Sequence, residues 1–511
     1  MNINRTFLFG APHFLIGILI LLSCLVACKN SQSELGALAF KASKNKIFKA
    51  VNEEALTENL KQRCESQAKA FRNPKFLQAF YAKHNYSPVL LSKVLANGQL
   101  DNIIAILANA NSHGLNPKMF KTDQMQALYN QMRNKNEVTD IDKAHALLSE
   151  LELLLANGLS DYSNAMQFGA LSPRKIYAQY YTETKRPDEK SFFNMLEADN
   201  PKQFLDSVQP KDKQYLALQQ ALKNQSNSSS PDGEEMQRIL IVNLERLRWK
   251  NKPQEEKYVW VNIPDFTLDV MENGKSALHM KVCVGEGRNQ NYKDKLIEYD
   301  ERGLKKDRPF NRETPQLNSL IHSVQVNPVW NIPQSIASNE IAKYAAADPY
   351  YLANNGIDVY LDGQKIEDPE TIDWTVAGAG KTYRFKQRPG EENSLGKIKF
   401  LFNNQSSVYL HDTPAKQAFN KQVRAVSHGC VRVEKPLELV RALFGGGSTY
   451  QAIDKAMQEG RPQAKDIALP NKVPVYLTYV TCWLQPSGKL EYRKDIYGLD
   501  IVLYTHLKQL G

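Results

Sequence analysis

Several features that would each fix a function class are missing from this sequence. Its six cysteines, at positions 24, 28, 64, 283, 430 and 482, are too few and too scattered for the dense disulfide framework of a small secreted scaffold. The apolar run near the start, Phe14 to Ala27, falls short of the roughly 20 residues that a membrane-spanning helix needs. No Lys/Arg block or aromatic ladder accompanies the net charge of +10, so nucleic acid is not the expected partner. His84, His113 and His145 stand at no metal-ligand spacing.

What is present begins with an export signal. Arg5 precedes the uncharged run, which ends in Leu25-Val26-Ala27-Cys28. That string resembles a bacterial lipobox, in which cleavage falls before the cysteine and its thiol takes a diacylglycerol; the alternative is an ordinary signal peptide. A second acyl chain on the new amino terminus would give the two-anchor regime of stable membrane attachment. Lys rather than Asp at position 29 leaves no simple inner-membrane retention signal, which favours the outer membrane. The expected location is therefore the cell envelope, facing the periplasm. A basic chain suits the anionic surfaces found there.

The body of the chain changes period once. Residues 28 to 52 are polar, Lys-rich and aperiodic, and read as a tether. Between Glu53 and Asn224 leucines and alanines recur at three- and four-residue steps, as in Leu100 to Asn109 and Ala144 to Ala156, with Gly114, Pro117, Gly158 and Pro173 as punctuation. A Ser- and Asn-rich linker ends in Pro231-Asp232-Gly233, where Asp232 and Glu235 fit a capping box for a helix carrying Met236, Ile239, Leu240 and Leu247. Beyond Lys250 the segments Tyr258–Ile263, Leu278–Val284, Lys397–Phe402 and Ser407–Leu410 alternate or are β-branched and aromatic. The class is α+β, helices first and a strand-rich unit after them.

Chemistry concentrates in His411-Asp412-Thr413-Pro414 and in Ser427-His428-Gly429-Cys430-Val431-Arg432, with His411 placed 19 residues before Cys430. A free thiol near pKa 8.5 is only partly ionised at neutral pH, so a neighbouring imidazole that takes its proton gives a usable nucleophile. Either His411, at the end of a strand, or His428, beside the thiol, fits that task. Gly429 permits a tight path in which the amides of 428 to 430 converge on an oxyanion. Two histidines and a cysteine could instead hold zinc, but no fourth ligand stands at ligand spacing, so neither metal nor cofactor is expected. Cys430 as a plain buried hydrophobe is the remaining alternative.

His411 followed by Ser-His-Gly-Cys resembles the signature of the L,D-transpeptidase (YkuD-domain) family. Asn243-Leu-Glu-Arg-Leu-Arg-Trp249, Val261-Asn-Ile-Pro264, Asn327-Pro-Val-Trp-Asn-Ile-Pro333, Asp348-Pro-Tyr-Tyr-Leu352, Asn393-Ser-Leu-Gly-Lys-Ile-Lys-Phe400, Tyr409-Leu-His-Asp-Thr-Pro414 and Asp495-Ile-Tyr-Gly498 extend the resemblance to its large YcbB-type branch. The resemblance implies a lipoprotein signal peptide at 1–27, a tether at 28–52, a helical scaffold domain at 53–225, a linker and connecting helix at 226–256, a sandwich-like catalytic domain at 257–447 and a C-terminal segment completing it at 448–511. It also implies that Cys430 is acylated by the third residue of a donor tetrapeptide stem of peptidoglycan, and that His411 is the base. Ser427, His428 and Gly429 would form the oxyanion loop.

Arg432 would hold that loop or a substrate carboxylate, or make a structural ion pair. Trp330 would line the donor groove or sit in the core. The product is a 3-to-3 cross-link to a diamino-acid side chain, in cell wall biogenesis and cell shape, with carbapenems as covalent inhibitors. The rivals are L,D-carboxypeptidase or D-amino-acid exchange by the same acyl-enzyme, and a wall-binding lipoprotein without catalysis. One departure stands out: this branch commonly inserts a peptidoglycan-binding module where only residues 224–233 stand here.

Overall fold

The computed structural model describes residues 33–67, 70–225, 231–251, 253–287, 296–300, 303–309 and 312–510. The leader and Cys28 lie outside them.

The helical region is organised around one helix, Ile141–Phe168, opened by Asp140 accepting from the Lys143 amide and ended at Gly169. At 1.5 Å rise per residue its 28 residues reach about 42 Å. It is buried on nearly every face. Gly158 does not punctuate it as expected but lies inside it, where an added Cβ would stand 2.9 Å from the Phe120 carbonyl oxygen. Close packing, rather than a turn, is what that glycine permits. Glu152 on the same helix accepts from the Tyr81 hydroxyl and from the amides of Leu90 and Leu91, satisfying two orphan donors at the start of helix Val89–Ala96.

Two assignments are corrected here. The expected tether is folded from residue 33 onward: helix Glu34–Ser43 and the turn Lys46–Ala50 bury Leu35, Ala39, Phe48 and Val51. A few apolar side chains suffice because Gly36 brings the helix into contact with Phe48 and Val51. The connecting helix, Pro231–Arg248, is a core element rather than a spacer, with Leu240, Val242, Leu244 and Glu245 wholly buried. Pro231 is its first residue, so Asp232 lies in the first turn and not at the cap.

The strand-rich region is one nine-stranded sheet. In spatial order it runs Ala425–Ser427, Lys275–Gly285, Val431–Val433, Leu410–His411, Ile398–Phe402, Leu317–Val326, Lys465–Thr478, Lys257–Asn262 and Thr267–Glu272. Thr267–Glu272 pairs back onto Lys275–Gly285, so the sheet closes on itself, and the layers expected of a sandwich are parts of one circuit. Closure removes two sheet edges. Alternation sets the two faces: Ile398, Phe400 and Phe402 are buried while Lys399 and Leu401 are only partly so. The central strand Lys465–Thr478 comes from the C-terminal stretch.

A second, four-stranded sheet, Trp330–Asn331, Arg384–Gln387, Ile357–Leu361 and Gln364–Ile366, has its own core of Ile332, Ile336, Leu352, Val359, Trp374 and Phe385. It is inserted between Leu317–Val326 and Ile398–Phe402, which are neighbours in the main sheet. Buried Asn393 closes its neck by donating to the Pro328 carbonyl.

Candidate active site

The strands Leu410–His411 and Val431–Val433 run parallel, with Leu410 opposite Val431 and His411 opposite Arg432. Leu410 and Val431 point into the core. By alternation Tyr409, His411, Cys430 and Arg432 occupy the other face. Register then builds one polar row across six strands: Cys283, Arg432, His411, Lys399, Gln325 and Asp466. A two-residue strand that opens into the Asp412 turn is enough to aim His411, because its neighbours on both sides fix the register.

His411 is buried, and its Nδ1 lies 2.5 Å from the Asp412 carbonyl oxygen. A carbonyl can only accept, so the ring proton is on Nδ1 and the lone pair on Nε2. Burial pulls the imidazole down to about 3, assisted by the Arg432 guanidinium and opposed by the carbonyls of Asp412 and Leu395. It is neutral at physiological pH. Asp412 is itself fixed: its carboxylate accepts from Lys416 Nζ at 2.5 Å and from the Lys397 amide at 2.9 Å. Gly396, at φ +58°, leaves room for that carboxylate, where a Cβ would clash.

Cys430 is partly buried and its thiol is free. Burial raises its pKa; hydrogen bonds from Tyr409, through backbone and side chain, and the charges of Arg432 and Lys399 act against that. Tyr409 was not singled out from the sequence. Its ring centroid is 5.6 Å from that of His411, its hydroxyl meets the Cys430 sulfur, and Lys399 Nζ lies 5.5 Å from its centroid. The available signal was the step of two from Tyr409 to His411 in a strand. Lys399 carried a similar signal, as the one charge in an otherwise apolar strand.

The loop at 427 to 430 is held from inside. Ser427 is buried; its hydroxyl donates to the Cys430 carbonyl at 2.6 Å and accepts from the Gly429 amide at 3.1 Å. Thr314, for which the sequence offered no signal, donates to the Gly429 carbonyl and accepts from the Gly285 amide. Gly429 has φ +115°, a conformation that favours glycine. Its amide is spent on Ser427, so the expected convergence of three amides narrows to those of His428 and Cys430.

His428 turns away from the thiol. Its Nε2 meets Glu340 of the inserted subdomain at 2.7 Å, and Arg312 joins that carboxylate at 2.6 Å. Arg432 is half-buried; among the described residues it has no ion-pair partner, and its Nε is buried without a hydrogen bond. Trp330 is partly buried in the short strand opposite Gln387, and its side chain hydrogen-bonds Tyr409. The three scaffold histidines have structural surroundings: His113 meets the Tyr215 hydroxyl, His145 accepts from the Asn52 amide, and His84 packs on Phe80. Cys64, Cys283 and Cys482 are buried free thiols.

A partly buried thiol sharing a sheet face with a neutral imidazole is the arrangement used by cysteine nucleophiles in general. Residues 256–446 match the family model described as the L,D-transpeptidase catalytic domain (YkuD), and residues 75–222 match the scaffold domain model. The chain is 28% identical over 357 residues to a protein of Haemophilus influenzae named "Putative L,D-transpeptidase". That match takes in 68% of this chain and 66% of the relative, just under two thirds of its length. The chain therefore carries a YkuD-type L,D-transpeptidase catalytic domain, with a scaffold domain on its N-terminal side.

Proposed function

We propose that this protein is a lipid-anchored, periplasm-facing L,D-transpeptidase that forms 3-to-3 cross-links between peptidoglycan stems through a Cys430 thioester, in cell wall biogenesis and the maintenance of cell shape. The observation that carries the reading is that Cys430 and His411 stand on one face of adjoining parallel strands, with the imidazole held by its Nδ1 on the Asp412 carbonyl so that Nε2 is left as the base.

In the first half-reaction the Cys430 sulfur attacks the carbonyl of the third residue of a donor tetrapeptide, and its proton passes to His411 Nε2. The tetrahedral oxyanion is met by the amides of His428 and Cys430 and by the Tyr409 hydroxyl; one such donor supplies about 3 kcal/mol. Collapse expels D-Ala as an amine that takes the proton from His411, leaving a thioester. In the second, the side-chain amine of an acceptor stem attacks the thioester. His411 takes the amine proton and returns it to the departing sulfur. The unpaired Arg432 guanidinium suits bidentate capture of a stem carboxylate. Trp330 forms a wall of the donor groove beside Tyr409.

The test is incubation with a donor tetrapeptide, with and without an acceptor stem, read by intact-protein and product mass spectrometry. A thioester adduct followed by a cross-linked dimer is expected, and a carbapenem should leave its mass on Cys430. Cross-links made by Cys430→Ala would sink the proposal. Tripeptide without dimer would instead identify a carboxypeptidase, and absence of any adduct on folded protein a binding lipoprotein. Anchoring is checked separately: palmitate incorporation should be lost in Cys28→Ala.

A further inference from the structure

A cleft of about 830 Å³ lies away from Cys430, between the scaffold helices, the connecting helix and the strands Lys257–Asn262, Thr267–Glu272 and Lys465–Thr478. Its floor is an aromatic platform. Tyr258 and Trp260 alternate on one strand and Tyr476 stands opposite Trp260 on the next, with ring centroids 5.8 to 6.3 Å apart. Trp260 and Tyr476 are tilted by 33°; Tyr476 is itself buried, so the partly exposed Trp260 and Tyr258 supply the rings a ligand would meet. Trp483 adds a second indole from the hairpin Cys482–Leu484 and Leu490–Tyr492, one face of it covered by the Arg493 guanidinium at 5.2 Å.

Polar groups flank these faces. Trp260, Trp483 and Tyr258, all partly exposed, bring two indole N–H groups and a hydroxyl to the cleft. Asp269, opposite Trp260, is oriented by Ser276 and His279. The two arginines of the cleft are already committed, Arg246 to Asp500 and Arg493 to Asp265, each at 2.6 Å. Among the described residues that line it, an anionic ligand would meet the carboxylates of Asp212, Asp265 and Asp269 and no unpaired arginine. A neutral polyol fits: its axial C–H faces lie on aromatic rings, while its hydroxyl and amide groups bond to side chains at the rim.

From this geometry we infer that the cleft is a saccharide-binding site that holds a neutral amino-sugar chain, separate from the site of acyl transfer. The choice of amino sugar rests on the peptidoglycan reading; the existence of a saccharide site does not. Such a site would supply wall affinity from the body of the protein itself.

The experiment titrates the full chain with chitotetraose, a peptide-free β-1,4-linked chain of N-acetylglucosamine, and follows tryptophan fluorescence and saturation-transfer NMR. Saturable binding is expected, weakened about tenfold in Trp260→Ala and less in Trp260→Phe, which keeps a ring but loses the indole donor. Asp269→Asn serves where Trp260→Ala fails to fold by circular dichroism, and should weaken binding several-fold. Cys430→Ala should bind the probe as the parent does, so loss of the transpeptidase reading and loss of this one are read apart. No saturable binding at concentrations on the order of 10 mM, or equal affinity in the parent and in every folded cleft variant, would overturn the inference.

Discussion

Two regions take polar groups out of solvent and treat them oppositely. Around the helix Pro231–Arg248 each charge is matched: Arg246 meets Asp500 at 2.6 Å, and Arg248 meets Glu245 at 2.8 Å. Glu245 further accepts from the Trp249 indole and the Leu171 amide, and Arg248 donates to the His113 carbonyl and the Tyr215 hydroxyl. These bonds tie the scaffold to the sheet region, as does Tyr177, which donates to the Leu499 carbonyl. On the face that carries Cys430 the polar groups are kept short of partners. His411 is neutral through burial, Arg432 has no counter-charge among the described residues, and Cys430 stays protonated. A buried network whose charges are paired fixes structure even where, as at Arg246 Nε, one donor is left over, whereas unpaired charge stores reactivity at a cost in stability.

Removing groups from each region should separate the two roles. The largest effect is expected from Cys430→Ala, which abolishes the acyl adduct in intact-protein mass spectrometry while leaving the unfolding temperature nearly unchanged. His411→Gln should lower kcat/KM for a donor tetrapeptide by about 10² to 10⁴, the usual worth of a general base. In the other region Asp500→Asn removes the carboxylate that Arg246 is paired with and leaves it only Asp495 as a buried counter-charge. It should cost about 3 to 5 kcal/mol in urea unfolding, and an unchanged midpoint would break the contrast. Tyr409→Phe removes a hydroxyl from the sulfur, so acylation should slow about tenfold with stability altered by about 1 kcal/mol.

The smallest effect is on pH dependence, and its sign differs between regions. Between about 3 and 6.5 the unfolded chain protonates position 411 while the folded protein does not, so stability falls as pH drops through that window. Burial holds scaffold Glu152 up at about 7 against 4.5 for an ordinary glutamate, so the folded state keeps a proton the unfolded chain loses, and stability falls as pH rises between those values. His411→Gln should flatten the acid limb of a stability profile and Glu152→Gln the neutral limb.

The thiol and imidazole were legible because a glycine-bearing turn and a strand end leave local marks, and the helical-to-strand change of period at Lys250 is a local mark too. What escaped was set by tertiary placement. Residues 33–52 carry too few apolar side chains to announce burial, yet Phe48 and Val51 are wholly enclosed. Charged Glu245, Arg246 and Arg248 made a core helix look like a connector. The commitment of the Gly429 amide to Ser427 and the reach of His428 to Glu340 depend on partners that no spacing encodes.

The folded start of the chain also limits where the proposed enzyme can work. With a lipid on Cys28 and ordered structure from Ser33, five peptide steps of roughly 3.3–3.6 Å separate the acyl chains from the protein body. That is about 18 Å at full stretch. On that proposal the body would ride close against its membrane, and the layer within its reach would be the one lying nearest the lipid headgroups.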